Sequence, residues 1–443
     1  MSILDRQILN IAIPSIVSNI TVPLLGLVDL AIVGHLGATA YIAAISLGGM
    51  VFNLMYWIFA FLRMGSSGLT AQAFGRNDKT EAYQLLIRVL VIAFAISFIL
   101  LVAQRLVFDS AMAVMKPDDG VRELVNTYFT ICIWGAPPSL CLFAVSGWFL
   151  GMQDSRSPMF VAIFQNVVNI IASLCFVCIL GMKVEGVAFG TMIAQWMGFM
   201  LAMAICLKKY RLSFHNIKFD ELFQTDKIKR LFSVNRDIFF RTCCMVAVFM
   251  FFTSVGSWQN TTVLAVNTLI MEFYLLFSYV MDGFAFAAEA LCGKFYGAVD
   301  YNNFNGVVKR VFRWGGALAL LFTLAYITCG NLIMSLLTDQ PDVLQSAHHY
   351  SVWAWLLPFA GLAAFVWDGV FIGITASRRM LVSSVLATSL FFVTYCILFP
   401  LFLNHALWAA FIIFLIARGA SQTIMFKNIK KTFSTGSKHQ ENN

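Results

Sequence analysis

The residues able to do chemistry in this chain are few, and the most informative are acids set inside long apolar runs. The first is Asp29, in the stretch Ile8–Gly37, ILNIAIPSIVSNITVPLLGLVDLAIVGHLG. An ionisable group at membrane depth is costly, so an acid kept there reads as functional by default. A carboxylate in low dielectric is driven toward its neutral form, which lets it load and release a proton near neutral pH. Two prolines in the same run, Pro14 and Pro23, each remove a helix hydrogen bond and permit a bend. A titratable group six residues past Pro23 suggests a proton- or ion-operated moving part. The competing reading is an aspartate near a helix end that snorkels outward.

A second group of acids comes later: Glu272, Asp282 and Glu289 in one apolar run and Asp368 in another. Glu272 falls near the middle of its run. Asp282 and Glu289 are seven apart and share one helical face. Acids of this kind either serve a second site or pair with Arg241, Arg313 or Arg418, since paired buried ions are cheaper to keep than lone ones. Pairing is expected for Asp282 and Glu289; for Glu272 and Asp368 both readings stand. Gln165, Asn166 and Asn169 lie at i, i+1 and i+4, as site ligands or as interhelical glue. Tyr56, Tyr128 and Tyr274 belong to a pool of aromatics that could line an organic cleft by stacking and cation–π contact. The alternative is that they face lipid or the interfacial belts.

The elements that must position these residues follow from composition. Of 443 residues, 60% are hydrophobic and 12% charged, roughly half the charged share of a soluble domain. Mean hydropathy is +0.80. No soluble fold hides that much apolar surface, so the chain reads as an all-α polytopic membrane protein. Runs of about 20 apolar residues, enough to cross a bilayer, number twelve. They fall near 8–33, 42–68, 84–106, 123–149, 158–180, 185–207, 237–257, 262–290, 310–335, 344–372, 380–402 and 404–426. With the N-terminus inside, only Arg105, Lys116, Arg122 and Lys183 of the 30 basic residues fall outside. That bias obeys the positive-inside rule and places both termini in the cytoplasm. It also accounts for the net charge of +8 without a nucleic-acid partner.

The basic loop Lys208–Asp237, with a short surface helix expected within Asp220–Phe232, splits the chain. This gives an N-lobe (1–207), an inter-lobe loop (208–236), a C-lobe (237–427) and a tail (428–443). The halves look related: Gly151-Met152-Gln153-Asp154-Ser155-Arg156 parallels Gly373-Ile374-Thr375-Ala376-Ser377-Arg378, and Pro137 parallels Pro358. The offset is about 221 there but smaller at Gln72/Glu289, which calls for insertions. Two even-numbered repeats keep the same topology, the arrangement of an alternating-access transporter with a cleft between bundles.

Other chemistries are not supported. There is no Walker or Rossmann fingerprint and no cleavable signal peptide. The ten cysteines read as small apolar residues rather than disulfides or ligands. His35, His215, His348, His349, His405 and His439 fall in loops, tails or helix ends. No metal site, no cofactor and no enzymatic nucleophile–base pair is expected.

Five stretches carry a resemblance: Leu27–Gly37 (LVDLAIVGHLG), Phe61–Arg76 (FLRMGSSGLTAQAFGR), Asn235–Thr242 (NRDIFFRT), Asp282–Lys294 (DGFAFAAEALCGK) and Trp367–Met380 (WDGVFIGITASRRM). Together they resemble the MATE (multidrug and toxic compound extrusion) transporters, in particular the DinF-like branch, over nearly the whole chain. The resemblance implies two six-helix lobes and export of cationic or amphipathic organic compounds in exchange for protons or sodium ions. It implies a cation-coupling role for Asp29 and matches Asp368 to a family acidic position. An aspartate that the family often places one turn after the residue matching Asn169 is Ser173 here. The N-lobe site would then hold one carboxylate with neutral Asn166, Asn169, Ser173 and Thr191. One acid suits a single proton better than a sodium cage of many hard oxygens. The expectation is a monomeric proton antiporter in a bacterial plasma membrane, with Pro23 as hinge and small organic substrates and the bilayer as partners. A sodium-coupled version and a flippase for a lipid-linked saccharide are the alternatives. The flippase would want a basic cleft, whereas the arginines sit mainly at cytoplasmic ends. A non-transporting scaffold or receptor would leave the acids in both halves without a reason.

Overall fold

A computed structural model describes residues 2–34, 39–211, 222 and 224–441, without the side chains of 22, 24, 25, 27, 30, 33 and 430–441. His35, Gly37 and His215, and the first part of the expected surface helix at Asp220, lie outside the described residues.

Described residues form helices and turns, with no strand among them. The first half contains α1 (Ile3–Gly34), α2 (Thr39–Gly75, interrupted at Phe59–Ala60), α3 (Lys79–Val102), the short α4 (Gln104–Met115), α5 (Asp119–Gly151), α6 (Arg156–Ile179) and α7 (Val184–Lys209). The second half contains α8 (Thr225–Gln259), α9 (Thr261–Gly297), α10 (Tyr301–Leu337), α11 (Pro341–Gly373), α12 (Ser377–Phe402) and α13 (Asn404–Glu441). Among the described residues eleven helices are long and apolar enough to cross a bilayer. The 32-residue α1 is also of spanning length, in keeping with twelve spans. The seventh span starts at Thr225 rather than at 237. Its polar first turns belong to a long helix and not to a loop.

The two halves are one design used twice, at a single offset. Adding 222 to Thr39–Gly75 gives Thr261–Gly297, and adding 222 to Asp119–Gly151 gives Pro341–Gly373. The start of α3 and the end of α4 map onto the two ends of α10, so the first repeat breaks at Ala103 where the second runs on. Backbone landmarks keep the same offset. Left-handed residues recur at Asn77 and Val299, at Gln153 and Thr375, and at Gly181 and Leu403. Asp78 caps α3 through the Glu81 N–H (2.9 Å) and Asp300 caps α10 through the Asn303 N–H (3.0 Å). Each cap supplies an acceptor to an orphan N–H of a first turn.

The offset corrects the Gln72/Glu289 pairing. A Cβ on Gly147 would collide with the Arg63 carbonyl and one on Gly369 with the Ala285 carbonyl. Gly151 likewise lies against the Ser67 carbonyl and Gly373 against that of Glu289. These close helix crossings equate Glu289 with Ser67 and Gln72 with Lys294, and no insertion is needed. Pro358 aligns with Ala136, one residue before Pro137.

Two compact units emerge from the Cα positions. One gathers Val17–Phe74 and Asp78–Leu231; the other gathers Met1–Ile16, Gly75–Asn77 and Phe232–Asn443. The first helix of each repeat therefore begins in the unit built mainly by the other repeat. In the first unit Trp148 is fully buried, donates to the Ala82 carbonyl (2.7 Å) and packs with Tyr210. In the second, Asn267 and Asn404 exchange amide hydrogen bonds (2.8 Å each) and Trp408 donates to Asn267 Oδ1. Buried amides satisfied in this way fix helix register where apolar contact alone would not.

Candidate functional site

α1 continues as helix through Pro14 and Pro23, and Pro23 is half-buried. One turn and a half later Asp29 is 8% exposed, and its Oδ1 is buried with no hydrogen-bond partner among the described residues. Such an oxygen forfeits its water without compensation. Asp29 lies close enough to Tyr128 and Cys132 of α5 for its charge to act on both. Cys132 contacts the Ala188 carbonyl of α7 at 3.7 Å.

The same stretch of α7 meets the polar face of α6. Asn169 and Ser173 are fully buried. Asn169 donates to Thr191 Oγ1 at 3.0 Å, while its Oδ1 and the Ser173 hydroxyl have no partner among the described residues. Gly190 lies directly against Ser173, where a Cβ would collide. Asn166 donates to the Thr21 carbonyl of α1 at 2.9 Å, which ties α6 to the helix that carries Asp29. Gln195, one turn beyond Thr191, is a residue that the sequence did not single out. Its Oε1 is buried, unpartnered among the described residues and pressed against Gly135. A lone glutamine in an apolar run has no one-dimensional signature; Gly135 and Gly190, which leave room for polar side chains, were the available signal.

The second unit is arranged differently. Asp368 accepts from Arg241, from Gln422 Nε2 at 2.8 Å, and lies 3.6 Å from Arg418. All four are buried. Arg418 also lies over the rings of Phe365 and Phe414. Two guanidinium groups thus stand against this acid, as in the pairing alternative that the sequence left open. Asp282 accepts from Ser278 (3.4 Å), and its charge reaches Tyr274 together with those of Asp368 and both arginines. Glu289 is buried, whereas Glu272 is exposed on α9. Tyr128 is buried beside Gly48 and Phe52, and Tyr274 is buried among Phe249, Phe365 and Phe411. Tyr56 is half-buried and packs on Phe52.

The repeat offset sharpens the contrast. Asp29, Asn169 and Ser173 map onto Phe251, Phe391 and Tyr395. These pack edge-on, with Phe251 at 6.0 Å from Phe391 and 5.0 Å from Tyr395. Where the second repeat has a closed aromatic core, the first has three polar side chains with unused oxygens. Conversely Arg241, Asp368 and Arg418 map onto Asn19, Ser146 and Trp196. The repeated architecture carries two unlike polar centres. Among the described residues no cluster of histidine, cysteine and carboxylate groups has the grouping of a metal site.

A duplicated bundle of membrane-spanning helices with a partly unsatisfied carboxylate in one half is the build of a secondary transporter. The MatE family model matches twice, at residues 14–175 and 238–398, and the chain belongs to the MATE family of multidrug and toxic compound transporters. It is 32% identical over 423 residues to "DNA damage-inducible protein F" of Escherichia coli (strain K12), covering 96% of this chain and 92% of that one. It is 23% identical to "Protein DETOXIFICATION 44, chloroplastic" of Arabidopsis thaliana, covering 94% and 81%. Its fold matches a crystal structure of MATE in the bent conformation with a TM-score of 0.88 at 18% identity, over 98% and 97% of the chains.

Proposed function

We propose that this chain is a proton-coupled antiporter that exports amphipathic, cationic organic compounds from a bacterial cell, acting as a monomer with both termini in the cytoplasm. The observation that carries the reading is Asp29, whose buried Oδ1 has no hydrogen-bond partner among the described residues and which lies near the neutral Tyr128 and Cys132. A lone carboxylate there takes a proton while it is buried and gives it up once water reaches it. Asp368 is unsuited to that cycle, because two buried arginines would be left uncompensated if it were neutralised. In the proposed cycle Asp29 is protonated from outside. Neutralisation lets α1 bend at Pro23, the first repeat changes shape, and substrate leaves outward. Inward opening releases the proton.

Asn169 Oδ1 and Ser173 Oγ, also without partners among the described residues, favour sodium as the second reading, since that ion takes several hard oxygens. Drug-loaded proteoliposomes separate the two. Under the proton reading an imposed pH gradient drives flux in sodium-free buffer and Asp29→Asn abolishes it. Flux that follows a sodium gradient at equal pH would support the other ion.

A further inference from the structure

A polar cavity lies in the unit built mainly by the second repeat. It has a volume of about 390 Å³ and opens where α9, α11 and α13 begin. It is lined by Asn260, Thr262, Ser346, His349, Tyr350 and His405 together with Val263 and Val266, and by no Asp or Glu among the described residues.

The hydrogen bonds around it decide what it can recognise. Trp353 donates its indole N–H to His405 Nδ1 at 3.0 Å. Indole nitrogen is a donor only, so Nδ1 must be the bare nitrogen and Nε2 carries the hydrogen. The Tyr350 ring packs against the imidazole at 4.5 Å between centroids, tilted by 32°. His405 therefore offers a donor and no metal-binding lone pair. Asn260 is fixed in the same sense: its Oδ1 caps α9 by accepting from the Val263 N–H at 2.7 Å, which leaves its amide N–H groups as the uncommitted end. Hydroxyls of Thr262 and Ser346 can turn to donate, and the His349 imidazole has a ring N–H to give. A cavity rich in oriented donors, lined by two valines and an aromatic ring and by no acid among the described residues, suits an anion on an apolar body better than a cation.

We propose that this cavity binds a small organic carboxylate whose apolar part rests on the valines and Tyr350. The anionic headgroup of a lipid shares that chemistry, and the test separates the two sources. Purified protein in phosphatidylcholine nanodiscs is titrated with benzoate, benzyl alcohol and benzylamine, with binding read by ligand-observed NMR. Saturable benzoate binding is expected, with the alcohol weaker and the amine weakest. Asn260→Asp retains the helix cap but replaces the donor with a carboxylate, and should weaken benzoate at least about tenfold. His405→Phe should act in the same direction, with thermal melts confirming that both variants fold. Benzoate displaced by phosphatidylglycerol but not by phosphatidylcholine would assign the anion to lipid. Benzylamine binding as tightly as benzoate, or benzoate indifferent to Asn260→Asp, would overturn the proposal. None of these outcomes bears on coupling through Asp29, so the two readings fail independently.

Discussion

Val299 sits at φ +58°, a region that costs a β-branched residue on the order of 1–2 kcal/mol. Its counterpart Asn77, at φ +59°, bears the same turn cheaply because asparagine tolerates left-handed geometry. Val299→Asn should therefore raise the melting temperature in detergent, and a fall would mean that the valine side chain makes a contact worth more than the strain. Glycines give the opposite test. Gly369→Ala drives a Cβ into the Ala285 carbonyl and should cost about 1–3 kcal/mol by overpacking. Gly316→Ala meets nothing within 4 Å and should be neutral or gain about 1 kcal/mol from helix propensity. At this scale Asp29 was legible because an acid in an apolar run is visible in one dimension. Gln195 was not, and although Arg241 and Arg418 could be named as candidate partners, their choice of Asp368 could not, since only helix packing brings such distant residues together.

The first helix of each repeat is fastened at its start by ions, in related ways. Asp5 of α1 accepts from Arg310 (2.7 Å) and Trp314 (3.3 Å) of α10. At the same offset, Lys227 of α8 pairs with Glu81 (2.7 Å), which Arg88 of α3 also holds (2.8 Å) while donating to the Leu222 carbonyl. Arg310 and Arg88 are themselves 222 apart. Arg310→Ala should loosen the first turns of α1, read as faster deuterium exchange over 3–8 than in wild type; unchanged exchange would assign the anchoring to apolar contacts alone. Between α5 and α6, burial pushes Asp154 up, but hydrogen bonds from Lys209 (2.7 Å), Ser157 and Tyr210 (2.7 Å) outweigh it and hold the carboxyl below its ordinary 3.8. Its contribution is thus fully present above that value and fades as pH falls through the lowered folded value. Asp154→Asn should lower stability by about 1–2 kcal/mol at pH 7, with the gap to wild type narrowing toward pH 3 in melts across pH. The helices themselves were legible from apolar runs about 20 residues long. Their ends were not, because α8 and α10 extend into polar sequence that hydropathy reads as loop.

As a whole, the molecule applies one six-span design twice and then differentiates the copies. The repeat was visible in the sequence through GMQDSR and GITASR, but its single register was hidden. Glycine contacts and left-handed turns preserve it while side-chain identities drift. Differentiation leaves in one half an acid whose oxygen has no partner among the described residues and in the other a doubly paired acid, and the central claim is that only the former couples proton movement to substrate export. The direct measurement is substrate efflux from proteoliposomes under an imposed pH gradient, comparing wild type, Asp29→Asn and Asp368→Asn, with folded protein verified by melting. The account predicts that Asp29→Asn loses gradient-driven flux by about a hundredfold, the loss of an effect of some 2–3 kcal/mol. Asp368→Asn should be destabilised yet keep its dependence on the gradient. Gradient-driven flux that survives in Asp29→Asn and vanishes in well-folded Asp368→Asn would contradict it.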